Sequence, residues 1–256
     1  MFDEKKIRFN HIKSFNKNYK RVIDFFDTIS EILMEKVFDD DQGNKNILEL
    51  ASRNNILRNK IYYRSPHSNY FQSCLSEKIL LKHNTRVVSN LNDIVFKNDF
   101  FHFCFSLLSL NSSNNITLVF KNIYNLLKND GVFASVFPSD ECFKEFKSYF
   151  IEFFKPEQNY NFNPLFDMQT LGNLCSAVGF KNVIVDKENF QFNIEKPEDV
   201  WNFIRYVGES NYLLKRKKFV IKKSLFKEFY SSYNKKLKEG SLKQNTLSIY
   251  YLIGKK

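Results

Sequence analysis

Ile47-Leu48-Glu49-Leu50-Ala51-Ser52-Arg53-Asn54-Asn55 is the stretch on which the reading of this chain turns. Ile47 to Leu50 have the character of a buried strand containing an acid near its end. In open α/β sheets a ligand sits just outside the carboxyl ends of the strands, and glycines there let the backbone approach it. Here the acid is present and the glycines are absent.

Outward from that strand, the pattern alternates. Upstream, apolar residues at 19, 22, 23, 26, 29, 33 and 37 predict one helix face from Tyr19 to Val37. Asp39–Asn44 is a polar turn. Downstream, Lys60–Tyr63 reads as a second short strand stopped by Ser65-Pro66, with any helix before it short. Val87-Val88 is a third strand candidate. Phe100–Leu108 is a continuous apolar run, as expected of a central strand buried on both faces.

Ile116, Val119, Phe120, Ile123, Leu126 and Leu127 predict a helix stopped at Asn129-Asp130-Gly131, with Gly131 as the left-handed residue. Val132–Phe137 is a strand, Ser139–Phe154 a Phe-rich helix and Lys155–Asn163 a loop. Asp167 is placed to cap a helix that ends at Gly179. Val183–Val185 and Phe190–Ile194 read as strands, and Pro197 opens a helix through Trp201 and Ile204. A basic helix ending at Gly240 and a final strand Leu247–Ile253 complete the chain. This strand–helix order favours a parallel sheet covered on both sides.

Composition narrows the function classes. The 256 residues are 43% hydrophobic and 17% aromatic, with 29 Phe and one Trp, so disorder is not expected. The four cysteines, Cys74, Cys104, Cys142 and Cys175, are scattered without metal-ligand spacing, so neither a zinc site nor a disulfide framework is indicated. No apolar run approaches the ~20 residues of a membrane span. The acidic start, without a hydrophobic leader, leads us to expect a cytoplasmic protein. The net charge is +11, and Lys215–Glu239 holds ten basic residues against two acids. Such a segment is an electrostatic surface for an acidic protein partner or a nucleic acid, or else a solvated helix face. Tyr212, Tyr230 and Tyr233 near it have the spacing of packing residues more than of a base-stacking platform.

The order of these elements, with Ile47-Leu48-Glu49-Leu50 and later Leu126–Phe133, resembles class I S-adenosylmethionine-dependent methyltransferases. Within them it is similar to the group containing the biotin-synthesis malonyl-carrier-protein methyltransferase and a mitochondrial complex I assembly factor. Phe2-Asp3 before a basic helix, Pro164–Asp167 leading to Ala177–Phe180, and Ser248–Gly254 carry that likeness. The resemblance implies a Rossmann-like α/β fold. Its mostly parallel seven-stranded sheet would have an antiparallel C-terminal strand and flanking helices. It would form one domain over 1–256, with a helical extension at 1–38 and a helical insertion at 195–240.

The resemblance also implies S-adenosylmethionine as cofactor, and it assigns positions to it: Glu49, Ala51, Ser52, Arg53, Asn55, Arg64, Asn90 and Ser106. Most of these depart from the family's residue types. Its glycine turn would fall at Ala51, Arg53 and Asn55, where side chains add bulk and Arg53 brings a charge towards the sulfonium. Its ribose-binding acid would fall at Tyr63–Pro66, where no carboxylate stands. The adenine-side acid falls at Ser89-Asn90, with Asp93 late. His102 takes the place of an acid opening the fourth strand and reads as a hydrogen-bonded core histidine. Asn111 and Asn115 replace the His or Asp found after that strand. No catalytic constellation stands out.

The expectation is therefore a methyltransferase-like protein with a degraded cofactor site, acting as a non-catalytic assembly or interaction factor. The alternatives are an active methyltransferase or arginine-hydroxylase-like enzyme with a divergent pocket, and an RNA-binding protein using the basic helix.

Overall fold

The apolar run becomes Phe101–Leu107, the middle strand of the sheet, and every residue in it but His102 is buried. Its side chains feed two hydrophobic cores: Phe103, Phe105 and Leu107 join one, Phe101 and Cys104 the other. A strand buried on both faces needs helices on both sides, and the chain supplies them. The computed structural model describes residues 1–38, 43–79, 85–93, 95–154, 162–196, 198–216, 222–242 and 244–256.

The strands are β1 (Asn46–Glu49), β2 (Asn69–Cys74), β3 (Arg86–Val88), β4 (Phe101–Leu107), β5 (Leu127–Pro138), β6 (Lys181–Asn193) and β7 (Gln244–Lys255). They form one sheet in the order β3-β2-β1-β4-β5-β7-β6. The pairings from β3 to β5 are parallel, and β7 runs antiparallel to both β5 and β6. The helices are α1 (Glu4–Lys13), α2 (Ile23–Val37), α3 (Ile56–Arg64), α4 (Ile116–Leu126), α5 (Lys144–Phe154), α6 (Met168–Val178), α7 (Glu198–Tyr206) and α8 (Lys223–Lys238). This is the Rossmann-like methyltransferase fold the resemblance implied. Among the described residues no helix is long and apolar enough to cross a membrane.

The second strand was misplaced by the sequence pattern. Lys60–Tyr63 lies within α3, and the strand is Asn69–Cys74. Ile56, Leu57 and Ile61 bury one helical face, while Tyr62 and Tyr63 point outwards. Lys60 pairs with Asp27 at 2.8 Å and Glu31 at 2.7 Å on α2, and Arg64 also meets Glu31. These tertiary contacts override the strand preference of Ile61-Tyr62-Tyr63.

The α4–β5 junction also differs from expectation. Asp130 carries the left-handed φ of 62°, not Gly131. Gly131 is needed for a different reason: a Cβ there would lie 2.8 Å from the Lys128 carbonyl oxygen. The two strands expected within 183–194 are one strand, β6. The Phe-rich helix starts at Lys144, because Ser139–Phe143 forms a turn in which the Glu141 N–H donates to Ser139 Oγ at 3.1 Å. The helix expected from Tyr19 begins at Ile23, after a 3-10 turn over Tyr19–Arg21.

Asp167 and Gly179 behave as expected. Asp167 Oδ1 accepts the Thr170 N–H at 2.7 Å, and Gly179 turns the chain at φ 118°. Residues 39–42 of the first polar turn, 155–161 of the loop, Pro197, Lys217 and Lys218 lie outside the described residues.

Candidate functional site

The carboxyl ends of β1 to β4 open on one side of the sheet, the place of a ligand in such folds. Ala51 follows β1 at φ 48°, a conformation that glycine adopts without steric cost. Asn55 has φ −103° and precedes α3. Of the three glycine positions, only the first keeps the left-handed turn. The turn's amides are used internally: Ala51 N–H donates to Ser73 Oγ at 3.0 Å and Ser52 N–H to the Ser73 carbonyl at 2.8 Å.

Arg53 decides the character of the cleft. Its side chain is 3% exposed and lies over the end of β4. Nε donates to Ser109 Oγ at 3.1 Å, and the two Nη groups donate to the carbonyls of Val207 and Leu108. Nη2 also pairs with Glu209 Oε1 at 2.8 Å. The other oxygen of Glu209 accepts from Asn111 Nδ2 at 2.8 Å and from the Tyr212 hydroxyl at 3.1 Å. A guanidinium taken out of water needs this full set of acceptors, because an unpaired buried charge costs several kcal/mol, on the order of 3–5.

Glu49 is 1% exposed and equally committed. Its Oε2 accepts from the Tyr70 hydroxyl at 2.7 Å and from Gln72 Nε2 at 2.9 Å. Burial pushes its carboxyl up, while Gln72, Tyr70 and Ser52 pull the other way. Ser52 Oγ donates to the Asn54 carbonyl at 3.0 Å, and Ser106 Oγ to the Leu50 carbonyl at 3.1 Å. Both serines are therefore bound within the turn and sheet.

Two assigned positions fall elsewhere. Arg64 sits on α3 against Glu31, away from the strand ends, because α3 occupies the sequence expected to be the second strand. The end of β2 instead presents Cys74, a buried thiol that burial pushes up to about 12. Leu75 and Ser76, which follow it, carry no carboxylate, and Glu77, three residues on, is exposed. His102 sits near the amino end of β4, where its Nδ1 accepts the Asn46 N–H at 2.9 Å. Asn115 caps α4 by accepting the Leu118 N–H at 3.0 Å.

Asn90, at the end of β3, donates to Glu4 on α1 at 3.3 Å. Helix α1 lies across this end of the cleft, with Ile7 packed among Leu75 and Leu91. The space left between Glu4, Ile7, Leu75, Asn90, Leu91 and Asn114 is about 20 Å³, little more than one water needs. Next to the Arg53 anchor, on the side of α1, α7 and the β4 and β5 ends, lies a cavity of about 680 Å³. Glu209, Lys147 and Trp201 line it. Sequence reasoning missed all three, since each is an isolated residue whose role depends on distant contacts. Among the described residues no cluster of His, Cys, Asp or Glu could hold a metal.

Tested against an adenosyl group, these residues do not fit in this conformation. The guanidinium occupies the space beside β1, and α1 fills the adenine end.

The sheet order is that of the Rossmann-like methyltransferase fold, and the chain is similar in sequence to proteins named as a methyltransferase and as arginine-hydroxylases. It is 27% identical over 195 residues to RP459 of Rickettsia prowazekii, named as a candidate methyltransferase, covering 73% of this chain and 84% of that protein. It is also 28% identical over 178 residues to the mitochondrial arginine-hydroxylase NDUFAF5 of Danio rerio, with 66% of this chain and 53% of that one covered. The human NDUFAF5 matches at 27% over 201 residues, with 72% and 56% covered. The matched region thus spans about half the length of these hydroxylases.

Among solved structures, a candidate methyltransferase of Bacillus halodurans superposes with a TM-score of 0.61 at 14% identity, covering 89% of this chain and 98% of that one. A phosphoethanolamine N-methyltransferase of Haemonchus contortus, in complex with S-adenosylmethionine, gives 0.52 at 14% identity over 90% of this chain and 52% of its own. No protein-family model matches the chain.

Proposed function

We propose that this chain is a methyltransferase-like protein that does not use the cofactor and acts as a non-catalytic assembly or interaction factor. The observation that carries this reading is the buried Arg53–Glu209 pair at the carboxyl end of β1. Fold and chemistry separate readily, because activity belongs to a site and not to a scaffold. The relatives named as hydroxylases of arginine, found in mitochondria, make a protein partner a reasonable class of target. The outer face of α8, with Lys223, Lys227, Lys235 and Lys238 exposed, would meet an acidic protein surface.

The experiment is a thermal-shift titration of the full chain with S-adenosylmethionine, paired with calorimetry. A cofactor bound at micromolar Kd would stabilise the fold by about 4 kcal/mol at a thousandfold excess. We expect no shift and no heat. Saturable micromolar binding would overturn the proposal.

A second reading keeps the enzyme. The 680 Å³ cavity beside Arg53 is large enough for a substrate. Labelling of a protein in lysate from methyl-labelled cofactor would support methyl transfer, and mass-spectrometric detection of a hydroxylated arginine would support the other chemistry. The RNA reading has less behind it: Tyr233 and Tyr230 of α8 pack against Tyr149 and Phe226.

A further inference from the structure

The cavity of about 680 Å³ is walled by aromatic and aliphatic side chains. Phe25, Phe143, Trp201, Phe203 and Ile249 form its apolar wall. Its charged members are mostly cations: Lys6 and Lys13 from α1, Lys147 from α5, Arg205 from α7 and Arg216. Glu209 is the one acid among the lining residues described, and it is already held by Arg53. Arg216 is answered by Asp3 at 2.9 Å. Among the described residues, no carboxylate lies within ion-pair distance of Lys6, Lys13 or Lys147.

Lys6 and Lys147 are not simply solvated. Lys6 Nζ stands 4.9 Å from the Phe9 ring and Lys147 Nζ 5.9 Å from the Phe162 ring. Burial draws the Lys147 ammonium down, and burial with the charges of Arg216 and Lys13 does the same to Lys6. Lys6 and Lys147 are partly desolvated, and Lys6 is repelled by Arg216 and Lys13, a cost to the empty protein that a bound anion would offset. The indole N–H of Trp201 has no acceptor among the described residues. A neighbouring cavity of about 690 Å³ shares Lys147, Phe162, Asn163 and Leu165 with the first and extends the apolar surface towards Leu214.

We propose that this cavity binds an amphiphilic organic anion, its apolar body against Trp201, Phe143 and Phe203 and its carboxylate or phosphate head among Lys6, Lys13 and Lys147. The size matches ordinary small-molecule sites, which are mostly apolar with a few placed polar groups. The inference does not depend on the state of the cofactor cleft, because none of the positions assigned to the cofactor lines this cavity.

The chain's single tryptophan, Trp201, is its own reporter. The full chain is titrated with dodecanoate, dodecyl phosphate and dodecanol, each below its aggregation limit, by tryptophan fluorescence and calorimetry. Both anions should bind saturably and at least about tenfold tighter than the alcohol, since one ion pair outside bulk water is worth roughly 1.4 kcal/mol or more. Preference for one anion identifies the head group. Lys13→Gln and Lys147→Gln should each weaken the anions several-fold while leaving dodecanol unchanged. Both lie on solvent-reaching helices, and unaltered urea midpoints would show that the variants fold. Absence of binding by either anion, or equal affinity for anion and alcohol, would overturn the proposal.

Discussion

Arg53 and Glu209 are 156 residues apart in sequence and meet at 2.8 Å in a nearly dry pocket. The pair ties the turn after β1 to the segment following α7. Gly208, at φ 82°, makes the approach possible: a Cβ there would stand 3.3 Å from Arg53 Nη1.

Removing one partner of this pair should be costly. Glu209→Gln leaves a guanidinium buried without its counter-charge and should destabilise the fold by about 3–5 kcal/mol in urea unfolding. The double variant Arg53→Met with Glu209→Gln should recover most of that loss, because removing both charges is often close to neutral. Equal destabilisation by the single and double variants would show that the pair is not what ties these segments.

His11 sits 1% exposed on α1, and among the described residues neither ring nitrogen has a hydrogen-bond partner. Burial, and then the Arg53 charge, hold its imidazole well below 6.5. The unfolded chain therefore takes up a proton on acidification before the folded one does. Stability should fall as pH drops below 6.5, by at most about 1.4 kcal/mol per pH unit from this group. His11→Phe should remove that component, as read from urea midpoints across the range.

Glu49 has the opposite sign. Its folded carboxyl is raised by burial, so the folded state keeps its proton longer than the unfolded chain. Its contribution is fully present below the ordinary carboxylate value of 4.5 and declines as pH rises above it. Glu49→Gln should therefore flatten the loss of stability with rising pH, leaving the His11 slope in place. A variant profile parallel to the parent above that value would refute the assignment.

Phe146 joins α5 to α8: its ring meets Trp201, Phe229 and Tyr233 at centroid distances of 5.1, 6.4 and 5.6 Å. Phe146→Ala should cost about 3–5 kcal/mol by transfer and cavity terms. It should also shift Trp201 emission, which a loss confined to α8 would leave alone.

Lys223, Lys227 and Lys235 lie exposed on α8. Replacing the three by Gln should change stability by no more than about 0.5 kcal/mol. Retention on heparin should drop if this face is the electrostatic surface proposed, and unchanged retention would move the surface elsewhere.

The amino-acid pattern by itself determined the scaffold. The run Phe101–Leu107, the helix face Ile116–Leu126 and the Asp167–Gly179 cap pair are local signals, set by burial on both faces, by helical spacing and by backbone geometry. Local pattern misled at Lys60–Tyr63, where ion pairs to α2 outweighed strand preference. Even the loss of glycine after β1 could be read directly. What only the tertiary structure decided was where the freed space went. Glu209, Tyr212 and α1 reach the strand ends from remote parts of the chain, and nothing near them in sequence announces it. A buried charge selects its partners by desolvation and distance, and those are properties of three-dimensional neighbours alone.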